Sequence, residues 1–176
     1  MRKYLLSLCL YASLVLNLSA QDHYIAKSFI SSSGQSVDYR ELAPENLIKG
    51  KKYPLVIFMH GAGEKGNDNF SQLKHGSQMF LNPVNREKFP SFVIFPQCPK
   101  DKDWSRSKRT NLKAEKLKAD REATMLVQAL KELIDSYLEN PSVDKSRVYI
   151  MGLSMGAIAT FDMVWRYPEI FAAAIP

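Results

Sequence analysis

Residues 23–43 alternate between apolar and polar positions with a period of about two. The stretches "HYIAKSFIS" (23–31) and "QSVDYRELA" (35–43) both follow this pattern, which is typical of strands with one buried face. Residues 31–34, where the two stretches join, read Ser-Ser-Ser-Gly, a composition that favours a turn. The pattern predicts a β-hairpin at the start of the folded chain.

Further along, several stretches are apolar without interruption. Continuous apolar runs are typical of strands that are buried on both faces of a sheet. The runs are "YPLVIFMH" (53–60), "SFVIFPQ" (91–97), "SRVYIMG" (146–152) and "FAAAIP" (171–176).

Three segments between these runs have helical spacing. A modest candidate covers residues 69–82 and ends before Pro83, and another covers residues 155–167 and stops at Pro168. Residues 120–139 have the clearest pattern, because apolar side chains recur there every three or four positions. Strands that alternate with helices predict an α/β fold, with a mostly parallel sheet and helices on both faces.

The first twenty residues are set apart from this pattern. Arg2 and Lys3 precede the apolar stretch from Tyr4 to Leu18, and small residues follow at Ser19 and Ala20. This predicts a secretory signal peptide at 1–20 and a folded domain at 21–176, in a secreted or periplasmic protein without a stable membrane span after cleavage. An uncleaved membrane anchor remains the alternative, because Leu18 is large for a cleavage site.

Charge and cysteine content follow from that cleavage. The chain has 24 basic and 18 acidic residues, and loss of Arg2 and Lys3 lowers the excess from +6 to +4. Nine basic and four acidic residues lie within 100–121, where we expect a solvated surface and no nucleic-acid partner, since Trp104 is the single aromatic residue in this segment and base stacking uses several interleaved aromatics. Cys98 is the only cysteine left after cleavage, so no internal disulfide is expected.

The stretch "GLSMG" (152–156) carries the main candidate chemistry. It fits the pattern G-x-S-x-G and lies between a predicted strand and a predicted helix. In such a sharp turn the neighbours of the serine have to be small, as Gly152 and Gly156 are. We therefore expect Ser154 to be a nucleophile whose oxyanion is met by the N–H of Met155.

The glycine-rich loop "HGAGEKG" (60–66) follows an earlier buried strand. Its G-x-G-x-x-G spacing also fits a dinucleotide site, but that reading requires a helix directly after Gly66, and Asn67-Asp68-Asn69 is a poor start for one. An acyl-transfer site requires a second backbone donor, and we assign it to Ala62. We predict no cofactor and, without a His/Cys cluster, no metal.

These motifs resemble the α/β-hydrolase fold, and in particular its secreted esterases, predicted peptidases and polyhydroxybutyrate-depolymerase-like or feruloyl-esterase-like enzymes. The resemblance is carried by "YPLVIFMHGAGEKG", by "FPQCP" with Trp104 beyond it, and by residues 143–176. It implies a serine hydrolase with Ser154 as nucleophile and Ala62 and Met155 as the oxyanion hole, acting on small-molecule or polysaccharide-linked esters. It also implies that Gln97 and Trp104 lie near the substrate; a packing anchor is the alternative role for Trp104. His60, Gly61, Gly63, Gly152 and Gly156 would shape the site.

The rest of a catalytic triad is not evident. In this fold Asp or Glu and then His follow the serine along the chain, yet no histidine follows Ser154, and Asp162 and Glu169 are expected at the surface. We expect His60 to brace its loop, and His75 to lie on a helix that faces solvent.

The sequence therefore predicts an N-terminal portion of a longer hydrolase, with the last strands and helices missing and the Asp and His downstream. A peptidase of the prolyl-oligopeptidase type and a non-catalytic binding protein on the same fold remain alternatives. The oligomeric state is left open.

Overall fold

The structure is a computed structural model that describes residues 23–105 and 123–176. The predicted signal peptide and most of the basic segment 100–121 lie outside the described residues. The strands are Ile25–Ile30 (β1), Ser36–Leu42 (β2), Tyr53–Met59 (β3), Phe92–Pro96 (β4), Val143–Gly152 (β5) and Ala173–Ile175 (β6). The helices are Ser77–Leu81 (α1), Pro83–Lys88 (α2), Met125–Leu138 (α3) and Met155–Arg166 (α4), and short 3-10 turns cover Ala62–Glu64 and Ser71–Leu73.

The six strands form one mixed sheet in the order β1-β2-β4-β3-β5-β6. β1 and β2 form the predicted hairpin, whose turn is closed by a 2.9 Å hydrogen bond from the N–H of Gly34 to the carbonyl of Ser31. Gly34 has φ +80°, a conformation that glycine adopts without strain. β2 runs antiparallel to β4, whereas β3 is parallel to both β4 and β5, and β5 is parallel to β6. The predicted mostly parallel α/β sheet is confirmed.

Helices pack on both faces of this sheet. Leu55 and Ile57 of β3 belong to the larger core, to which α3 and α4 contribute their apolar faces. Phe58 projects to the opposite face, where it packs with Phe95 of β4 and with side chains from the segment around α1. Strands covered in this way are apolar at nearly every position, which explains the continuous runs in the sequence.

Among the described helices α3 is the longest, and its start is defined by a cap. Thr124 precedes it, and the Thr124 side-chain oxygen accepts a 3.0 Å hydrogen bond from the N–H of Val127. The predicted helix at 120–139 is thus found over 125–138, while positions 120–122 lie outside the described residues. Within the described residues, no helix is both long enough and apolar enough to span a bilayer.

The predicted helix at 69–82 was wrong as a single element. Gly76 interrupts it with φ +80°, and a Cβ at this position would lie 2.4 Å from the ring of Phe58. Glycine is therefore needed both for its conformation and for the close approach of the aromatic ring. After Gly76 the chain forms α1, and the Asn82 side chain then caps α2, a helix that the sequence pattern did not predict.

Candidate active site

Ser154 lies in a tight turn between the end of β5 and the start of α4. Its backbone has φ 54° and ψ −110°, and the residue is exposed. A non-glycine residue in such a conformation costs roughly 1–3 kcal/mol and persists only where the surrounding structure holds it in place. The turn therefore projects Ser154 from the carboxyl end of a central strand, as the G-x-S-x-G pattern requires.

The two glycines of the motif allow this turn to form. A Cβ on Gly152 would lie 2.3 Å from the carbonyl oxygen of Gly156, and a Cβ on Gly156 would lie 2.0 Å from the carbonyl oxygen of Met59. Neither neighbouring atom belongs to a flexible side chain, so the backbone would have to move to make room. The steric argument made from the sequence for these two glycines agrees with the observed packing.

Met155 is the first residue of α4, and this position leaves its N–H without an acceptor inside the helix. The next N–H groups are used locally, because Gly156 donates to the carbonyl of Leu153 and Ile158 donates to the carbonyl of Ser154. The Ser154 side chain makes no capping hydrogen bond to the helix. The Met155 N–H thus has no acceptor inside the helix and belongs to the residue that directly follows Ser154.

The glycine-rich loop after β3 lies directly against this turn. A Cβ on Gly61 would be 3.7 Å from the Cβ of Ser154 and 3.5 Å from the carbonyl oxygen of Leu153. Ala62, which is exposed, then opens a 3-10 turn, and its N–H is also at the start of a helical segment. The two predicted oxyanion donors therefore belong to two segments that meet at Ser154. A Cβ on Gly63 would meet no atom within 4 Å, so this glycine serves no comparable steric need.

His60 is held by hydrogen bonds at both ring nitrogens. Its Nδ1 lies 2.6 Å from the carbonyl oxygen of Gly61, and its Nε2 accepts a 2.9 Å hydrogen bond from the N–H of Cys98. This arrangement assigns the proton of the neutral ring to Nδ1. Burial lowers the pKa of His60 below its usual value of 6.5. A neutral imidazole with hydrogen bonds at both ring nitrogens supports the bracing role of His60 over a role as general base.

Gln97 holds the outer part of the glycine-rich loop. Its side chain accepts a 2.7 Å hydrogen bond from the N–H of Asn69 and donates to a carboxylate oxygen of Asp68, also at 2.7 Å. Several hydrogen bonds from Ser71, Gln97 and Phe70 hold the pKa of Asp68 well below its usual value. Because Gln97 is 2% exposed, its position supports a role in fixing the loop and offers no surface for the predicted contact with substrate.

Trp104 is completely buried in the larger core. Its ring lies against His60, with the ring centroids 5.6 Å apart, and its carbonyl accepts a hydrogen bond from the hydroxyl of Thr124. The neighbouring Cys98 is a free, buried thiol whose pKa burial raises to about 12. These contacts favour the packing alternative for Trp104, since its indole face is not available to a sugar or aromatic ring in the described chain.

Glu64 is a buried acidic residue of this site that the sequence reasoning did not single out. Its Oε2 is 3.0 Å from the position of a Cβ on Gly61, and its Oε1 is 3.4 Å from Nε2 of His75. His75 lies in the turn before α1 and not on a helix as predicted, with a half-exposed side chain. The sequence feature that could have pointed to Glu64 is its position directly after His-Gly-Ala-Gly. Residue type alone does not distinguish such a glutamate from one at the surface.

No general base for Ser154 is found among the described residues. No side chain in residues 23–105 and 123–176 hydrogen-bonds to its hydroxyl, and the exposed His23 lies just before β1. The expectation that Asp162 is a surface residue was wrong: it is 8% exposed and its carboxylate accepts a 3.0 Å hydrogen bond from Arg166. Over the same ranges, no group of three or more His, Cys, Asp or Glu side chains is arranged to hold a metal ion.

A family model described as phospholipase/carboxylesterase matches residues 47–175. That match includes both β3 with its loop and the Ser154 turn. The chain belongs to this family. The fold class and family predicted from the sequence are thereby confirmed, and the family is one of hydrolases.

Individual relatives agree with this family. A poly(3-hydroxyalkanoate) depolymerase C from Paucimonas lemoignei is 28% identical over 123 residues, which cover 70% of this chain and 27% of the relative. The crystal structure of a thermostable esterase is similar with a TM-score of 0.76 and 34% identity, covering 88% of this chain and 40% of the esterase. An acetyl xylan esterase from Aspergillus awamori, at 20% identity and a TM-score of 0.60, shares the fold; 86% of this chain covers 50% of that enzyme. The chain therefore spans well under half the length of the first two relatives.

Proposed function

We propose that this chain is the nucleophile-bearing portion of a secreted or periplasmic serine esterase. The observation that carries the proposal is the contact between two elements: the strained Ser154 turn and the glycine-rich loop, whose Gly61 packs against Ser154. On this proposal the two oxyanion donors are the N–H groups of Ala62 and Met155, each of which begins a helical segment. Such paired donors stabilise the oxyanion of an acyl-transfer intermediate.

The proposed reaction has two steps. Ser154 attacks the ester carbonyl, its proton passes to a histidine, and the alcohol leaves with that proton. Water then attacks the acyl-enzyme and releases the carboxylic acid. The two backbone N–H groups hold the negative oxygen in both tetrahedral intermediates, and the reaction needs no cofactor.

The histidine and its acidic partner are proposed to lie downstream of residue 176. Support comes from the described histidines, because His60 is hydrogen-bonded at both ring nitrogens and His75 contacts Glu64, which argues against either as the base for Ser154. Since the chain spans 27% of the depolymerase and 40% of the thermostable esterase, most of the length of each relative has no counterpart here. We retain the division into a signal peptide at 1–20 and a hydrolase portion at 21–176 as part of this proposal.

Replacement of the nucleophile tests the proposal. In the full-length native protein that contains this chain, we expect Ser154→Ala to lower kcat for a soluble p-nitrophenyl ester by at least about a thousandfold. Ser32→Ala is the matched control, because Ser32 lies in the β1–β2 turn, far along the chain from the site. Unchanged hydrolysis by Ser154→Ala would refute the assignment, and faster turnover of a matched peptide anilide than of the ester would favour the peptidase alternative.

A further inference from the structure

Glu64 is a buried carboxylate within the glycine-rich loop of the site. It ends the 3-10 turn Ala62–Glu64 and is 5% exposed. Burial of a carboxylate is costly unless a partner compensates for lost hydration. The partner here is His75, whose Nε2 lies 3.4 Å from Oε1 of Glu64. Among the described residues, His75 is the cationic partner within ion-pair distance of Glu64. The contact becomes an ion pair when the imidazole is protonated.

The same carboxylate lies beside the nucleophile. Oε2 of Glu64 is 3.0 Å from the position that a Cβ on Gly61 would occupy, and the Cβ of Ser154 is 3.7 Å from that position. Glu64 and Ser154 therefore pack against the same backbone unit. Any larger residue in place of Gly61 would press on the carboxylate first.

The backbone N–H and the backbone carbonyl of Glu64 are both hydrogen-bonded. Its N–H donates to the carbonyl of Gly61 at 3.3 Å, and its own carbonyl accepts from the side chain of Gln97 at 3.5 Å. The side chain then folds back over Gly61. The turn that presents the N–H of Ala62 is thus closed by its own last residue.

We propose that Glu64 and His75 act as a positioning pair for the oxyanion loop. The carboxylate keeps the Gly61–Ala62 segment against Ser154, and His75 keeps the carboxylate in place. The inference rests on the proposed function, because the position of this loop affects a reaction only if an oxyanion forms at Ser154. Donors aimed at an oxyanion act on the transition state more than on the bound ester, so the pair influences kcat and leaves KM nearly unchanged.

His75 has an electrostatic role in the same pair. A carboxylate near a developing oxyanion repels it, and the repulsion is greater at a partly buried site than in bulk water. The His75 ring offsets that negative charge only in its protonated form. Loss of His75 therefore loosens the carboxylate and, where the ring carries a proton, also removes the compensating charge.

Steady-state kinetics of the full-length native protein with a p-nitrophenyl ester test whether Glu64 and His75 position the loop. We expect Glu64→Ala to lower kcat about tenfold and His75→Ala about fivefold, each with KM within about twofold of wild type. In the double variant we expect kcat to be no lower than in Glu64→Ala, because residues that act as a unit are not additive. The inhibition constant of phenylboronic acid, which mimics the tetrahedral intermediate, should rise by the same factor as kcat falls.

The matched control removes a different ion pair. Glu45 contacts Arg86 at 2.6 Å outside the site and is exposed, so Glu45→Ala should leave all three constants within about twofold of wild type. If Glu64→Ala does not fold, Glu64→Gln and the half-exposed His75→Ala carry the test. Unchanged kcat in these variants, losses that multiply, or a rise in KM alone would overturn the pair.

The pattern of results separates this inference from the proposed function. If Ser154→Ala is inactive while the Glu64 and His75 variants match wild type, only the positioning pair is wrong. If the wild-type protein hydrolyses no ester, the proposed function fails and the pair fails with it.

Discussion

At the scale of single residues, the position of Gly156 makes the strongest steric demand in the site. A Cβ there would lie 2.0 Å from the carbonyl oxygen of Met59 and 2.7 Å from that of His60. We expect Gly156→Ala to lower the free energy of unfolding by roughly 3 kcal/mol, because two backbone segments would have to separate. Urea unfolding followed by circular dichroism measures this change.

The matched control for that variant is Gly63→Ala. Gly63 belongs to the same site, but no atom lies within 4 Å of its would-be Cβ, and its φ is not in the left-handed region. We expect its free energy of unfolding to stay within about 0.5 kcal/mol of wild type. Equal losses in the two variants would mean that the close approach of Gly156 to β3 is not what the fold requires.

At this scale, the steric argument from the G-x-S-x-G motif agrees with the packing, while the catalytic roles stay predictions. The glycines at 152 and 156 are small because backbone atoms occupy the space beside them, and G-x-S-x-G encodes that condition directly. Burial follows no such local rule. Gln97 and Trp104 lie in a polar, loop-like stretch, yet the segment folds inward and covers both side chains. The contacts described for these two residues come from positions 20 or more residues away along the chain, which spacing alone does not reveal.

At the scale of elements, His60 joins the end of β3 to the segment that follows β4. Its pKa is lowered by burial, so the folded state holds the ring neutral at a pH where the unfolded chain already binds a proton. The resulting stability is complete above the unfolded value of about 6.5 and is lost as pH falls toward the folded pKa. We expect the free energy of unfolding to decrease between pH 7.5 and pH 5.5.

Urea unfolding at the two pH values, repeated with His60→Gln, isolates this contribution. We expect the variant to be less stable at pH 7.5 but to lose less stability on acidification. Asp68 does not interfere, because its lowered pKa confines its effect to pH values below its usual 3.8. An identical decrease in the variant and the wild type would assign the pH dependence to other groups.

The end of α3 was predictable from the sequence, but its start was not. Apolar periodicity ran over 120–139 and stopped at Asn140, close to the observed end at Leu138, whereas the helix begins only at Met125, where the Thr124 side chain caps it. The pattern at 69–82 had apolar residues at suitable positions, but Gly76 packs against the ring of Phe58 and breaks the helix. Such a tertiary contact overrides local preference, so a single helix was expected where two short elements formed.

At the scale of the whole molecule, one end of the sheet carries exposed apolar surface. β6 pairs with β5 on one side only within the described residues, and its Ile175 is 65% exposed. Phe161 and Trp165, one turn apart on the neighbouring α4, are 55% and 46% exposed. An unpaired strand edge next to an apolar helix face favours association with other chains.

We therefore expect residues 21–176, expressed alone, to self-associate through this end of the sheet. The double variant Phe161→Lys with Trp165→Lys should shift the sedimentation profile toward monomer, because two charges would have to be desolvated in the contact. Leu47→Lys with Ile48→Lys is the matched control: these side chains are 57% and 58% exposed in the loop before β3 and away from β6. Equal shifts in both double variants would mean that added charge, and not this particular surface, controls association. A monomeric wild-type chain would show that the residues already present protect the β6 edge.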